Sequence, residues 1–124
     1  MEILTSGTGA LQVSVQANWT GPDLVVTIGG GMRAHVGAVA VAQPRPSLKG
    51  DGRVSSTASV IALLGHKEDE LARWAALLLA AELNTTVVVT AGLHVDAATP
   101  EQILQLDAEA RTLVKRLAER VRVK

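Results

Sequence analysis

The chain has 124 residues, 48% of them hydrophobic, enough for a single domain over 1–124 that buries a core without disulfide or metal staples. Twelve basic residues balance twelve acidic ones, so no net field gathers nucleic acid or an anionic membrane. Cysteine is absent, which excludes disulfides, thiolate catalysis, iron–sulfur clusters and Cys-type zinc sites together.

The N-terminal "MEILTSGTGA" lacks the basic and apolar regions of an export signal, and no apolar run approaches the ~18 residues of a membrane span, so a cytoplasmic location is expected. Residues 11–20 alternate, with Leu11, Val13, Val15, Ala17 and Trp19 on one side, which predicts a strand with one buried face. Gly21-Pro22-Asp23 supplies turn chemistry, and "LVVTI" returns as the second arm of a hairpin. Gly29-Gly30-Gly31 is expected to end that arm, either as a turn or as a nest of backbone N–H groups for an anion. "AHVGAVAVA" at 34–42 reads as a third strand, its small and β-branched residues suiting cover on both faces. Residues 43–56, "QPRPSLKGDGRVSS", combine two prolines, two glycines and three basic side chains and are expected to form the one long loop.

"TASVIALL" at 57–64 predicts a fourth strand, and the spacing of Leu71, Trp74, Ala75, Leu78 and Leu79 predicts a largely buried helix over 67–83. Glu68, Asp69 and Glu70 crowd its first turn, where the helix dipole favours negative charge. "TTVVVTAG" at 85–92 is a fifth, continuously apolar strand. Thr99, Pro100 and Gln102 then form a capping box before Ile103, Leu106, Ala110, Leu113, Leu117 and Val121, which share one helical face. The order ββββαβα predicts an α+β fold, a mixed or antiparallel sheet of about five strands with two helices on one face.

All three histidines, His35, His66 and His94, fall at predicted strand ends beside glycine, so one sheet can bring them together. Imidazoles so placed bind a polar ligand, shuttle a proton or hold a metal. Lys67, with Arg45, Lys49 and Arg53 and the hydroxyls of Ser55, Ser56 and Thr57, offers phosphate or carboxylate contacts. No dinucleotide fingerprint, Walker motif, HExxH pair or nucleophile elbow is present. The enzymatic alternative is a small metal-dependent enzyme using His35, His66 and His94 with Asp69 or Asp96. Phe and Tyr are absent, leaving Trp19 and Trp74, so a planar ligand finds few stacking partners.

"HVGAVAVAQPRPS" and "STASVIALLGHKEDELARWAALLLAAELNTTVVVTAGLHVD" resemble the prenylated-flavin chaperone (LpdD-like) family across residues 29–120. The resemblance implies a non-enzymatic carrier that binds reduced prenylated FMN, or FMN itself, protects it from oxygen and helps load it into a UbiD-like decarboxylase. A UbiX-like flavin prenyltransferase is the implied source of the cofactor. Within the matching stretch, His35, Arg45, Ser56, His66, Lys67 and His94 are the candidate contacts. A flavin needs cations or N–H groups for phosphate, apolar walls for the ring and polar groups for its carbonyl edge. With aromatics so scarce, a homodimer that supplies a second wall is expected.

Overall fold

The computed structural model describes residues 1–63 and 68–122. The fold is α+β: a six-stranded mixed sheet in the order β1-β2-β3-β6-β4-β5, with two helices on one face. The strands are β1 (Glu2–Ser6), β2 (Val13–Thr20), β3 (Asp23–Gly31), β4 (Ala38–Pro46), β5 (Val54–Ala62) and β6 (Val87–His94). The helices are α1 (Asp69–Leu83) and α2 (Pro100–Arg122). Neighbouring strands pair antiparallel except β3 and β6, which run parallel from Leu24 opposite Val87 to Gly31 opposite His94.

Strand alternation decides which side is covered. Val13, Val15 and Ala17 of β2, Leu24, Val26 and Ile28 of β3, Val87, Val89 and Ala91 of β6 and Ala38, Ala40 and Ala42 of β4 are buried with the apolar stripes of the helices. Alanines line β4 where Ala72, Ala75, Ala76 and Ala80 of α1 are also buried, so small side chains allow helix and sheet to approach closely. Trp74 packs against this core while Arg111 of α2 lies 4.8 Å over its ring, anchored by Asp107 at 2.7 Å. Among the described residues, no helix covers the opposite face of the sheet. Val25, Val41 and Ile61 stand exposed on it, Ile61 to 67%.

The hairpin, the fourth and fifth predicted strands and both helices are found, with differences that have physical reasons. The added β1 is only five residues long and alternates once, with Leu4 inward. Gly29-Gly30-Gly31 continues β3 instead of ending it. Most of 43–56 is strand: β4 and β5 pair as far as Pro46 opposite Val54, and only 47–53 form the tip. Pro44 and Pro46 are tolerated because β4 pairs with β6 only as far as Ala42 opposite Val87. Beyond that point one edge of β4 has no neighbouring strand and asks for no N–H donor. β4 is covered on one face, not two, since Val41 is exposed. Helix α1 begins at Asp69. In α2 the capping box forms, with Gln102 N–H donating to Thr99 Oγ1 at 3.1 Å and Thr99 N–H to Gln102 Oε1 at 2.9 Å, while Ile103 is exposed.

Thr99→Ala is expected to lower stability by about 1 kcal/mol through loss of the cap. Leu79→Ala, at a fully buried position, is expected to cost about 2–5 kcal/mol. Urea unfolding followed by circular dichroism measures both.

Candidate functional site

Because β6 lies between β3 and β4, the chain leaving β3 must cross the end of β6 to reach β4. Residues 32–37 make that crossing. It is stitched down by Met32 N–H to His94 O at 2.6 Å and Gly37 N–H to Ala91 O at 2.9 Å. Two glycines make room for it. A Cβ on Gly92 would overlap the carbonyl oxygen of His35, and one on Gly29 would lie 2.9 Å from Ala34 Cβ.

The crossing sets His35 beside His94, their rings edge to face with centroids 6.4 Å apart. Each imidazole meets a carboxylate: His35 Nε2 is 3.4 Å from Glu68 Oε1, and His94 Nε2 is 2.7 Å from Asp96 Oδ1. Such a partner orients the ring and fixes which nitrogen faces it. Nδ1 of His35 faces the Arg33 carbonyl at 3.3 Å, and the Arg33 guanidinium approaches Asp96 at 3.9 Å. Glu68 is the least solvated of the four, its side chain 14% exposed. Its Oε1 accepts the Leu93 N–H at 3.2 Å, whereas Oε2 is buried with no hydrogen-bond partner among the described residues. Gly37 leaves space for that oxygen, since a Cβ there would collide with it.

Beside these groups opens a cleft of about 330 Å³. Leu71, Leu93, Val95, Ala98, Ile103 and Leu106 give it apolar walls, and Glu68, Glu70, His94 and Asp107 supply the polar groups. The volume is at the low end of the ~300–1,000 Å³ usual for small-molecule sites. A family model described as the prenylated flavin chaperone LpdD-like domain matches residues 7–122. The chain belongs to that family. No curated protein matches it.

The predicted contacts of this LpdD-like chain divide between two ends of the sheet. His35 and His94 come together as described; His66 and Lys67 lie outside the described residues. Arg45, Lys49, Arg53, Ser55, Ser56 and Thr57 belong to the β4–β5 hairpin at the other end. Seven residue steps of ~3.3 Å along β4 separate Ala38 from Arg45, about 23 Å, and Thr57, opposite Gln43, lies five steps along. The antiparallel β4–β5 pairing carries the hairpin tip away from the crossing where His35 and His94 meet. Arg45 Nε donates to Thr57 Oγ1 at 2.8 Å, and Ser56 Oγ donates to the Leu77 carbonyl of α1 at 2.7 Å. Among the described residues, no group of three or more His, Asp or Glu is placed to hold a metal ion.

Sequence reasoning assigns Glu68 to the helix dipole alone. In the structure it occupies the N-cap position of α1 but makes no side-chain cap bond, its carboxylate turning to His35 and Leu93 instead. Glu68→Ala is expected to leave the Leu93 N–H without its acceptor and to cost about 1–3 kcal/mol. Faster hydrogen exchange of the Leu93 amide, measured by NMR, checks the assignment. Gly92→Ala is expected to be more damaging because the obstacle is backbone, and its soluble yield and urea midpoint should both fall.

Proposed function

We propose that this protein is a non-enzymatic carrier that binds reduced prenylated FMN at the crossing, shields it from oxygen and delivers it to a UbiD-like decarboxylase. The observation that carries this reading is an apolar cleft lined by the carboxylate-oriented His94 and by Glu68, which in turn pairs with His35, in a chain of the flavin chaperone family. The cofactor, made by a UbiX-like prenyltransferase, is cargo here; its chemistry is supplied later, in the decarboxylase.

The residues suit such a ligand. Leu71, Leu93, Val95, Ile103 and Leu106 would bear on the ring and prenyl-derived carbons. The pyrimidine edge of a flavin alternates carbonyl acceptors with an N–H donor, and imidazoles and a carboxylate are the matching partners. His94 would serve a carbonyl and the Glu68 carboxylate the N–H, with His35, His66 and Lys67 proposed as further contacts. Aliphatic walls hold an aromatic ring less tightly than stacking aromatics do, which suits a ligand that must be handed on. Val25, Val41 and Ile61, exposed on the uncovered face of the sheet, support a homodimer, and the cytoplasm, where the cofactor's source and destination enzymes act, is the proposed location.

Protein purified without oxygen is expected to bind reduced prenylated FMN, to slow its oxidation on admission of air and to show no turnover. The visible spectrum and the mass of the co-purifying ligand test this. His35→Ala with His94→Ala is expected to weaken binding at least about tenfold, the equivalent of 1.4 kcal/mol. Stoichiometric zinc or iron in a metal assay, lost in the same double variant, overturns the carrier reading in favour of a metal-dependent enzyme.

A further inference from the structure

The sheet has two open edges, and they are built differently. β1 is five residues long and carries Glu2, whose carboxylate lies 3.7 Å from Arg120 of α2. A short edge with a charge on it discourages further strands. β5 lacks these protections. Val54–Ala62 is nine residues long, contains no charged residue, proline or glycine, and pairs with β4 without a bulge from Ala62 opposite Ala38 to Val54 opposite Pro46. Val54, Thr57, Val60 and Ile61 are β-branched, as strands favour.

The free side of β5 presents a definite set of backbone groups. Ser47 N–H donates to the Arg53 carbonyl at 2.9 Å and Leu63 N–H to the Gly37 carbonyl at 2.9 Å, one just beyond each end of the ladder. In an antiparallel pair every second opposed couple is hydrogen-bonded, so the odd-numbered residues of β5 bond to β4. The N–H and C=O groups of Val54, Ser56, Ala58, Val60 and Ala62 therefore point away from β4. Among the described residues, no strand takes them up. The row is held ready for one, since α1 packs on β5 and Ser56 Oγ donates to the Leu77 carbonyl at 2.7 Å.

We infer that the occupant of this edge is the same edge of a second copy. β5 pairs antiparallel with its counterpart about a two-fold axis at Ala58, perpendicular to the sheet, and joins the two six-stranded sheets into one. Ala58 is the midpoint of the strand and points outward. Centring the axis there sets Val54 opposite the partner's Ala62 and Ser56 opposite the partner's Val60, so every outward group of the strand finds an acceptor or donor. Charge selects the direction. Residues 45–53, at the hairpin end, carry Arg45, Lys49 and Arg53 against Asp51, whereas residues 64–70, which follow the other end of β5 in the chain, carry Glu68, Asp69 and Glu70 against Lys67. Antiparallel pairing sets each basic end beside an acidic one. Parallel pairing would set Arg45, Lys49 and Arg53 beside their own copies, a juxtaposition that costs free energy. Pairing β5 with the β1 edge of another copy would leave an edge free at each end and build an open filament, whereas the β5 pair closes on itself.

This inference rests on the homodimer of the carrier reading and names its seam, but its test needs no flavin. By size-exclusion chromatography with light scattering at tens of micromolar, the natural chain is expected at twice the 12.9 kDa of one copy. Ala58→Pro removes an outward N–H at the axis and no bond to β4, and is expected to run as a folded monomer, its fold checked by circular dichroism. The chain has no cysteine, so Ala58→Cys carries one thiol at the axis and Val41→Cys one on the uncovered face. Under mild oxidation Ala58→Cys should give a disulfide-linked dimer on a non-reducing gel, since hydrogen-bonded partners lie about 5.5 Å apart from Cα to Cα. Val41→Cys should not, because the two β4 strands would be three strand spacings of ~4.8 Å apart. A monomeric natural chain, a folded Ala58→Pro that stays dimeric, or Ala58→Cys that does not self-link overturns the edge seam. Self-linkage of Val41→Cys in its place overturns it in favour of contact through the uncovered face. Where Ala58→Pro does not fold, the cysteine variants decide. Binding of reduced prenylated FMN by a monomeric chain upholds the carrier and sinks the seam, whereas a dimer that links at Ala58 and fails to bind the cofactor sinks the carrier alone.

Discussion

The chain can pass from β3 to β4 over the end of β6 only because Gly92 has no side chain. A single methyl group there would occupy the place of the His35 carbonyl. Everything at this end of the molecule follows from that contact. It holds His35 against His94, turns Glu68 toward the Leu93 N–H and leaves the cleft open beside them. Gly29 and Gly37 extend the same close fit, one under Ala34 and one beside Glu68.

The electrostatics of the crossing are costly in isolation. A carboxylate with one oxygen buried and without a hydrogen-bond partner among the described residues works against folding, and the remainder of the fold must outweigh it. That remainder is a continuous aliphatic core between one face of the sheet and two helices. Local disfavour of this sort, set within an otherwise consistent design, is what a site shaped for something other than its own stability looks like.

Much of the fold is legible in the residues because alternation and helical spacing are local signals. β2 and β3 show period-two burial, Thr99 and Gln102 cap each other, and five of the six apolar positions read on α2 are buried. The meeting of His35 with His94 is legible too, from glycines at strand ends. What escapes has non-local causes. Gly29-Gly30-Gly31 looks like a terminus when the strand beside it is unknown; only β6 explains why the ladder continues through it. Prolines and glycines at 43–56 look like a long loop, yet pairing with β5 extends β4 to Pro46. Glu68 looks like one of three acids at a helix start, and nothing nearby in sequence points to Leu93 or His35. The distance between hairpin and crossing depends on strand direction, which composition does not encode.

The position of β6 also orders events in time. Its partners β3 and β4 are complete once the ribosome has passed Pro46, but the strand that joins them begins only at Val87. Until then the nascent chain holds two separate antiparallel pieces with unpaired inner edges, the kind of surface that recruits stray strands. Closing the gap requires long-range parallel pairing, an intrinsically slow step. The seam beneath the crossing is thus the last part of the sheet to be sewn, and the interval before it closes is when this molecule is most exposed to misassembly.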